Sequence, residues 1–164
     1  MLAGWQRRSF RANDMFIDTA RKLCKRHIKK KFNGEYICTP MEVYSQVVNG
    51  QNFKVLLLGK HSQTNDFKCF SSVTWYPAGQ IPQPQFKEET FKVIDGTECK
   101  LTAEKSNKLK NSVKEFFQED KEFTPIKFFE NAFEGANVYV LEVGKQFIGV
   151  FEAGDEMLVD CISN

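Results

Sequence analysis

The sequence predicts an α+β chain built twice in tandem, each half being one helix followed by antiparallel strands. Three observations carry that expectation. At a constant offset of 85 residues, positions 39–60 and 124–145 share eight identities without a gap. Thr39-Pro40 meets Thr124-Pro125, Gly50 meets Gly135, Asn52 meets Asn137, Val55-Leu56 meets Val140-Leu141, and Gly59-Lys60 meets Gly144-Lys145. So dense a match in residues as rare as glycine and proline marks an internal repeat. Each copy is also preceded by a stretch of helical periodicity. Charge divides along the same line: Met1–Gln85 carries 13 basic and 5 acidic side chains, a net +8, and Phe86–Asn164 carries 10 and 16, a net −6. The overall +2 is the cancellation of the two, so units over 1–85 and 86–164 are expected.

A helix is predicted over 14–32, where Phe16, Ile17, Ala20, Leu23, Cys24, His27 and Ile28 recur at helical spacing with Lys and Arg opposite. Asn13 or Asp14 is the expected N-cap. Runs of β-branched and aromatic residues then place strands over 36–48, 52–58 and 67–76, with Gly50 where a hairpin turns. Residues 77–90 hold three of the five prolines and read as a connection. The second helix is predicted over 102–118, with Ala103, Leu109, Val113, Phe116 and Phe117 on one face and Thr102 as N-cap. Strands follow over 123–133, 137–143, 146–152 and 157–162, turning at Gly135 and at Ala153-Gly154.

Composition removes several classes of protein. With 41% hydrophobic and 27% charged residues in 164, neither a disordered chain nor a coiled coil fits. No apolar run approaches the roughly 18 residues of a membrane helix. Sixteen phenylalanines point to an aromatic, sheet-rich core. The first eight residues, Met1 to Arg8, meet charge too early for a secretory apolar region. Together with an odd count of five cysteines, that gives an expectation of reduced thiols in a cytoplasmic protein.

The stretch Ser45-Gln46-Val47-Val48-Asn49-Gly50-Gln51-Asn52-Phe53 resembles the Gln-Val-Val-x-Gly hairpin of the cystatin superfamily. Asn52 and the later Gly59 are particularly similar to the disulfide-free, intracellular stefins. The order is similar as well: an N-terminal glycine (Gly4), one helix (14–32), then strands from 36 onward, so the resemblance covers most of residues 4–94. Cys69 to Gln80 looks like the equivalent strand of the latexin family, whose tandem cystatin-like modules inhibit metallocarboxypeptidases. The resemblance implies two tandem cystatin-like units, each one helix packed across a curved antiparallel sheet. It implies a reversible inhibitor of papain-like cysteine proteases. Because two histidines and scattered thiols assemble no positioned nucleophile, acid/base pair or metal cluster, no enzymatic activity, cofactor or metal is expected. The alternatives are metallocarboxypeptidase inhibition and a non-inhibitory binding protein of the same fold.

In such an inhibitor an N-terminal strand, a hairpin tip and a second hairpin form one wedge that fills the protease cleft. Carried onto this sequence, the wedge residues are Gly4, the tip Gln46, Val47, Val48, Asn49 and Gly50, and the third element Trp75, Tyr76 and Pro77. Leu2-Ala3 ahead of Gly4 would lie in apolar subsites. Stiff β-branched Val47 and Val48 offer apolar area at low rotamer cost, and Gly50 permits a tight turn. Two features depart from the family pattern. The extracellular cystatins carry Pro-Trp in the third element, an order altered here. The second repeat reads Asn131-Ala132-Phe133-Glu134-Gly135, keeping only the glycine and placing a charge at its tip. It is expected to keep the fold without the inhibitory loop.

Other residues invite sharper readings that the pattern does not support. Cys24 and His27 stand at i and i+3 on the first helix, but two ligands do not make a zinc site, and core packing is expected. His61 falls in a polar loop over 59–66 and is expected to be solvated. Gly59-Lys60-His61-Ser62 lacks the upstream glycine of a phosphate loop. Arg21, Lys22, Lys25, Arg26, Lys29, Lys30 and Lys31 put seven cations into eleven residues. They spread over more than half of the helix circumference without interleaved aromatics, which disfavours nucleic acid or an anionic membrane as partner and favours a solvated face.

Overall fold

The computed structural model describes residues 4–8, 14–32, 35–79 and 83–162. It is a mixed α+β chain with two helices and two antiparallel sheets among those residues. Contacts divide it into two compact units between Val93 and Ile94. No helix among the described residues is long and apolar enough to cross a membrane.

In the first unit, β1 (Gln6–Arg7) is followed by α1 (Asp14–Lys31), β2 (Tyr36–Val47), β3 (Gly50–His61), β4 (Phe67–Pro77) and β5 (Gln85–Asp95). The strands form one sheet in the order β1-β2-β3-β4-β5. The apolar stripe of α1, here Ile17, Ala20, Cys24 and Ile28, meets Tyr36, Cys38, Val43, Phe53, Val55, Leu57 and Phe70 on the sheet in a single core. Alternate residues of β3 point to that core, as the period of two requires. Asn13 lies outside the described residues.

The stretch read as a connection over 77–90 is corrected: its second half begins β5. There Val73 N donates to Thr90 Oγ1 at 2.8 Å, and Thr90 Oγ1 donates to the Lys87 carbonyl at 2.6 Å. Phe86, Phe91 and Val93 turn inward onto the core, whereas Glu88 and Glu89 face water. Such a charged edge strand lacks the alternation that betrays a half-buried one. His61 also departs from expectation. It ends β3 half-buried, its ring edge-on to Tyr36 at 5.3 Å and its Nδ1 accepting from Gln63 N at 3.1 Å.

In the second unit, α2 (Ala103–Phe117) precedes β6 (Thr124–Phe133), β7 (Ala136–Val143), β8 (Gln146–Ala153) and β9 (Glu156–Cys161), a four-stranded meander in sequence order. Thr102 caps α2 as expected, its Oγ1 accepting from Lys105 N at 3.1 Å. Gln118 ends the helix in the left-handed region at φ +61°. Leu109 and Val113, one turn apart, enter a core with Tyr139, Leu141, Val143, Ile148 and Val150.

The repeat is visible in backbone detail. β2 carries a bulge between Pro40 and Glu42, and β6 carries one between Pro125 and Lys127, the same positions one repeat later. Proline cannot donate to a ladder, and the extra residue bends the strand.

Candidate functional site

The order and register of the first sheet bring the sequence-predicted residues to one end of it. Val47 pairs with Gln51, which pairs in turn with Tyr76, and Gly50 pairs with Pro77. On the other side Gln6 of β1 opposes Ser45, so Gly4, two residues earlier, leaves the sheet toward the same end as the tip. Gly4 is exposed, and a side chain there would meet open space. Leu2 and Ala3 lie outside the described residues.

The tip is built by its backbone. Val48 N donates to the Gly50 carbonyl at 3.1 Å, closing a short loop in which Asn49 has φ +36° and Gly50 φ +113°. Gly50 is required twice over. Its φ suits glycine, and a Cβ there would stand 2.2 Å from the Tyr76 carbonyl oxygen and 2.8 Å from Ala78 N. The close approach of β4 thus fixes the tip against the end of the neighbouring strand. Gln46 sits half-buried opposite Asn52, while Val47 is 59% exposed and Val48 is half-buried. Isolated exposed valines are ordinary, but this one crowns a turn closed by a backbone hydrogen bond.

Of the third element, Trp75 and Pro77 stay at the sheet end, whereas the Tyr76 ring turns under the helix. It lies edge-on to Phe16 at 4.9 Å and to Phe53 at 5.6 Å, and burial raises its phenol above the ordinary value. Trp75 has Lys87 Nζ 5.8 Å from its ring centroid. With Val48, Phe86 and Glu89 these two line a shallow hollow of about 490 Å³ beside the tip.

Two contacts that the sequence did not announce hold the N-terminal segment to this end. Arg7 Nε lies 2.9 Å from Glu42 Oε1, whose side chain is only 6% exposed, and Arg8 Nε donates to Ser45 Oγ at 2.6 Å. The Arg8 amide also donates to the Val43 carbonyl at 2.9 Å. A lone Glu42 between Met41 and Val43 was the one local signal of a buried ion pair.

The second repeat presents its turn differently. Ala132 and Phe133, the counterparts of Val47 and Val48, are 4% and 3% exposed. Asn131 takes φ +50°, and its amide donates to Asn137 Oδ1 at 2.9 Å. Asn137 Nδ2 and Tyr139 Oη donate to Glu152 Oε1 at 3.0 and 3.1 Å, and Lys105 Nζ donates to Glu152 Oε2 at 2.5 Å. This turn is tied down by side chains and shows no apolar tip.

Cys24 and His27 pack in the core. Burial pushes the Cys24 thiol up to about 11, which suppresses the thiolate a nucleophile would need. His27 lies edge-on to Phe91 at 4.5 Å, with Nδ1 3.3 Å from Glu88 Oε1. Among the described residues no group of three or more His, Cys, Asp or Glu is placed to hold a metal ion. No known protein family, curated protein or solved structure matches the chain.

Proposed function

We propose that the chain is a reversible inhibitor of papain-like cysteine proteases, made of two tandem cystatin-like units of which the first carries the inhibitory edge. The observation that carries this reading is the convergence of Gly4, the Val47–Gly50 tip and Trp75–Pro77 on one end of a single sheet, with Val47 held outward. Three backbone segments side by side make a thin edge that enters a groove without offering an extended peptide bond to the nucleophile. The tip is fixed by β4, so little ordering entropy opposes binding. All five cysteines are free thiols, which suits action in a reducing cytoplasm.

Titration of papain tests the proposal. The wild-type chain inhibits in the micromolar range or below, and Val48→Asp weakens inhibition by about tenfold or more, because a carboxylate must be desolvated in the cleft. Val47→Ala removes two carbons worth about 0.8 kcal/mol each; scaled by an exposure of 59%, the loss is about 1 kcal/mol, or roughly fivefold. Absence of papain inhibition, or inhibition indifferent to Val48→Asp, sinks the proposal. A metallocarboxypeptidase assayed in parallel separates it from the latexin-type alternative.

A further inference from the structure

Away from the sheet end, the C-terminal half of α1 lines a concave groove of about 280 Å³. Lys22, Lys25, Arg26 and Lys29 follow one another at i, i+3, i+4 and i+7, so they share one face of the helix. Ile28 and Tyr36, both nearly fully buried, form the apolar floor, and Glu35 is the one carboxylate of the lining. Asp18 engages Lys22 at 3.0 Å, and Glu35 lies 3.3 Å from Lys29. Lys25 and Arg26 have no ion-pair partner among the described residues. The groove therefore holds two uncompensated cations, and a third whose carboxylate partner is itself exposed and easily displaced.

We propose that this groove binds a phosphate monoester carried on a small apolar body. Such a group bears about −1.5 to −2 charges near neutral pH and three acceptor oxygens, matching the surplus of two cations. The planar Arg26 guanidinium supplies two parallel donors to phosphate, and Lys25 a compact charge beside it. The apolar body packs along the methylene stems of Lys22, Lys25 and Lys29, over a floor closed by the buried Ile28 and Tyr36. The Tyr36 hydroxyl is already engaged, donating to Asp66 Oδ2 at 2.7 Å. The groove has the scale of a small-molecule site and is too short to track a nucleic-acid strand. This site does not depend on the protease reading, and its test involves no protease.

Calorimetric titration of the full chain uses adenosine monophosphate as a free phosphate monoester and a short phosphotyrosine peptide as a side-chain one, with inorganic phosphate and the unphosphorylated forms as controls. Saturable binding of a phosphorylated organic probe, tighter than inorganic phosphate and lost with the phosphate, is expected; the tighter arm names the source. The double variant Lys25→Gln/Arg26→Gln weakens it by roughly tenfold or more while circular dichroism stays unchanged. Glu35→Gln, which removes the competing carboxylate, tightens binding by about threefold. No saturable binding at millimolar probe, binding unchanged in the double variant, or weaker binding in Glu35→Gln overturns the proposal.

Discussion

Alanine at the two equivalent turn glycines separates the roles of backbone angle and close approach. At Gly50 both act: φ is +113°, and the new Cβ meets the Tyr76 carbonyl oxygen at 2.2 Å, Ala78 N at 2.8 Å and Pro77 C at 3.0 Å. All three are backbone atoms, so no side chain can rotate away. Strain at such a φ costs about 1–3 kcal/mol, and the forced shift of β4 about as much again, giving about 2–6 kcal/mol together. At Gly135 φ is +81° and nothing stands within 4 Å of the added carbon, so only the angle counts, about 1–2 kcal/mol. Urea unfolding measures both. The two tryptophans, Trp5 and Trp75, lie in the first unit, so their fluorescence follows Gly50→Ala, and far-ultraviolet circular dichroism follows Gly135→Ala. Midpoint shifts translate to energy through the slope of about 1–3 kcal/mol per molar. Equal costs at the two sites, or a cost below about 1 kcal/mol at Gly50, would refute the claim that β4 clamps the tip.

Further outcomes concern the second unit and the thiols. Burial alone raises the Glu152 carboxyl, but hydrogen bonds from Lys105, Asn137 and Tyr139 outweigh it and hold the group below its ordinary 4.5. A depressed folded-state value gives stability that is full above 4.5 and is lost as pH falls through the folded value, so acid titration of Glu152→Gln shows a flatter decline than wild type over that window. In native protein the exposed Cys161 reacts first with an aromatic disulfide reagent and Cys99 more slowly. Cys24, Cys38 and Cys69 wait for unfolding, since burial pushes Cys24 to about 11 and Cys38 to about 12. Rapid release from three or more thiols would contradict the packing.

Both helices and most strands were legible because their side chains repeat with the period of the element. α1 runs over Asp14–Lys31 against an expected 14–32, and α2 over Ala103–Phe117 against 102–118. β5 was not legible, since its outward residues are charged and its inward ones, Phe86, Phe91 and Val93, break the alternation. At the site, the motif located the tip, but the outward turn of Val47 and the inward turn of Ala132 and Phe133 depend on three-dimensional packing that no local spacing records. The Arg7–Glu42 pair joins residues 35 apart, and no local pattern links them. The basic run was visible as charge; which four of its members share a groove with Ile28 and Tyr36 emerged only with the fold.

The repeated Thr-Pro pair has a consequence for solution behaviour. Among the described residues β1 covers β2 only from Val43 to Ser45, and β6 is bridged on its outer side only at Phe128, by Thr97, which leaves the rest of both margins unpaired among those residues. An open margin is a template on which another chain can stack and begin to polymerise. In each case the proline, Pro40 or Pro125, offers no amide to a newcomer, and the adjoining bulge throws the next residues out of register. Replacing either proline would do more than straighten a strand: it would remove a guard against self-association from a chain rich in β-structure.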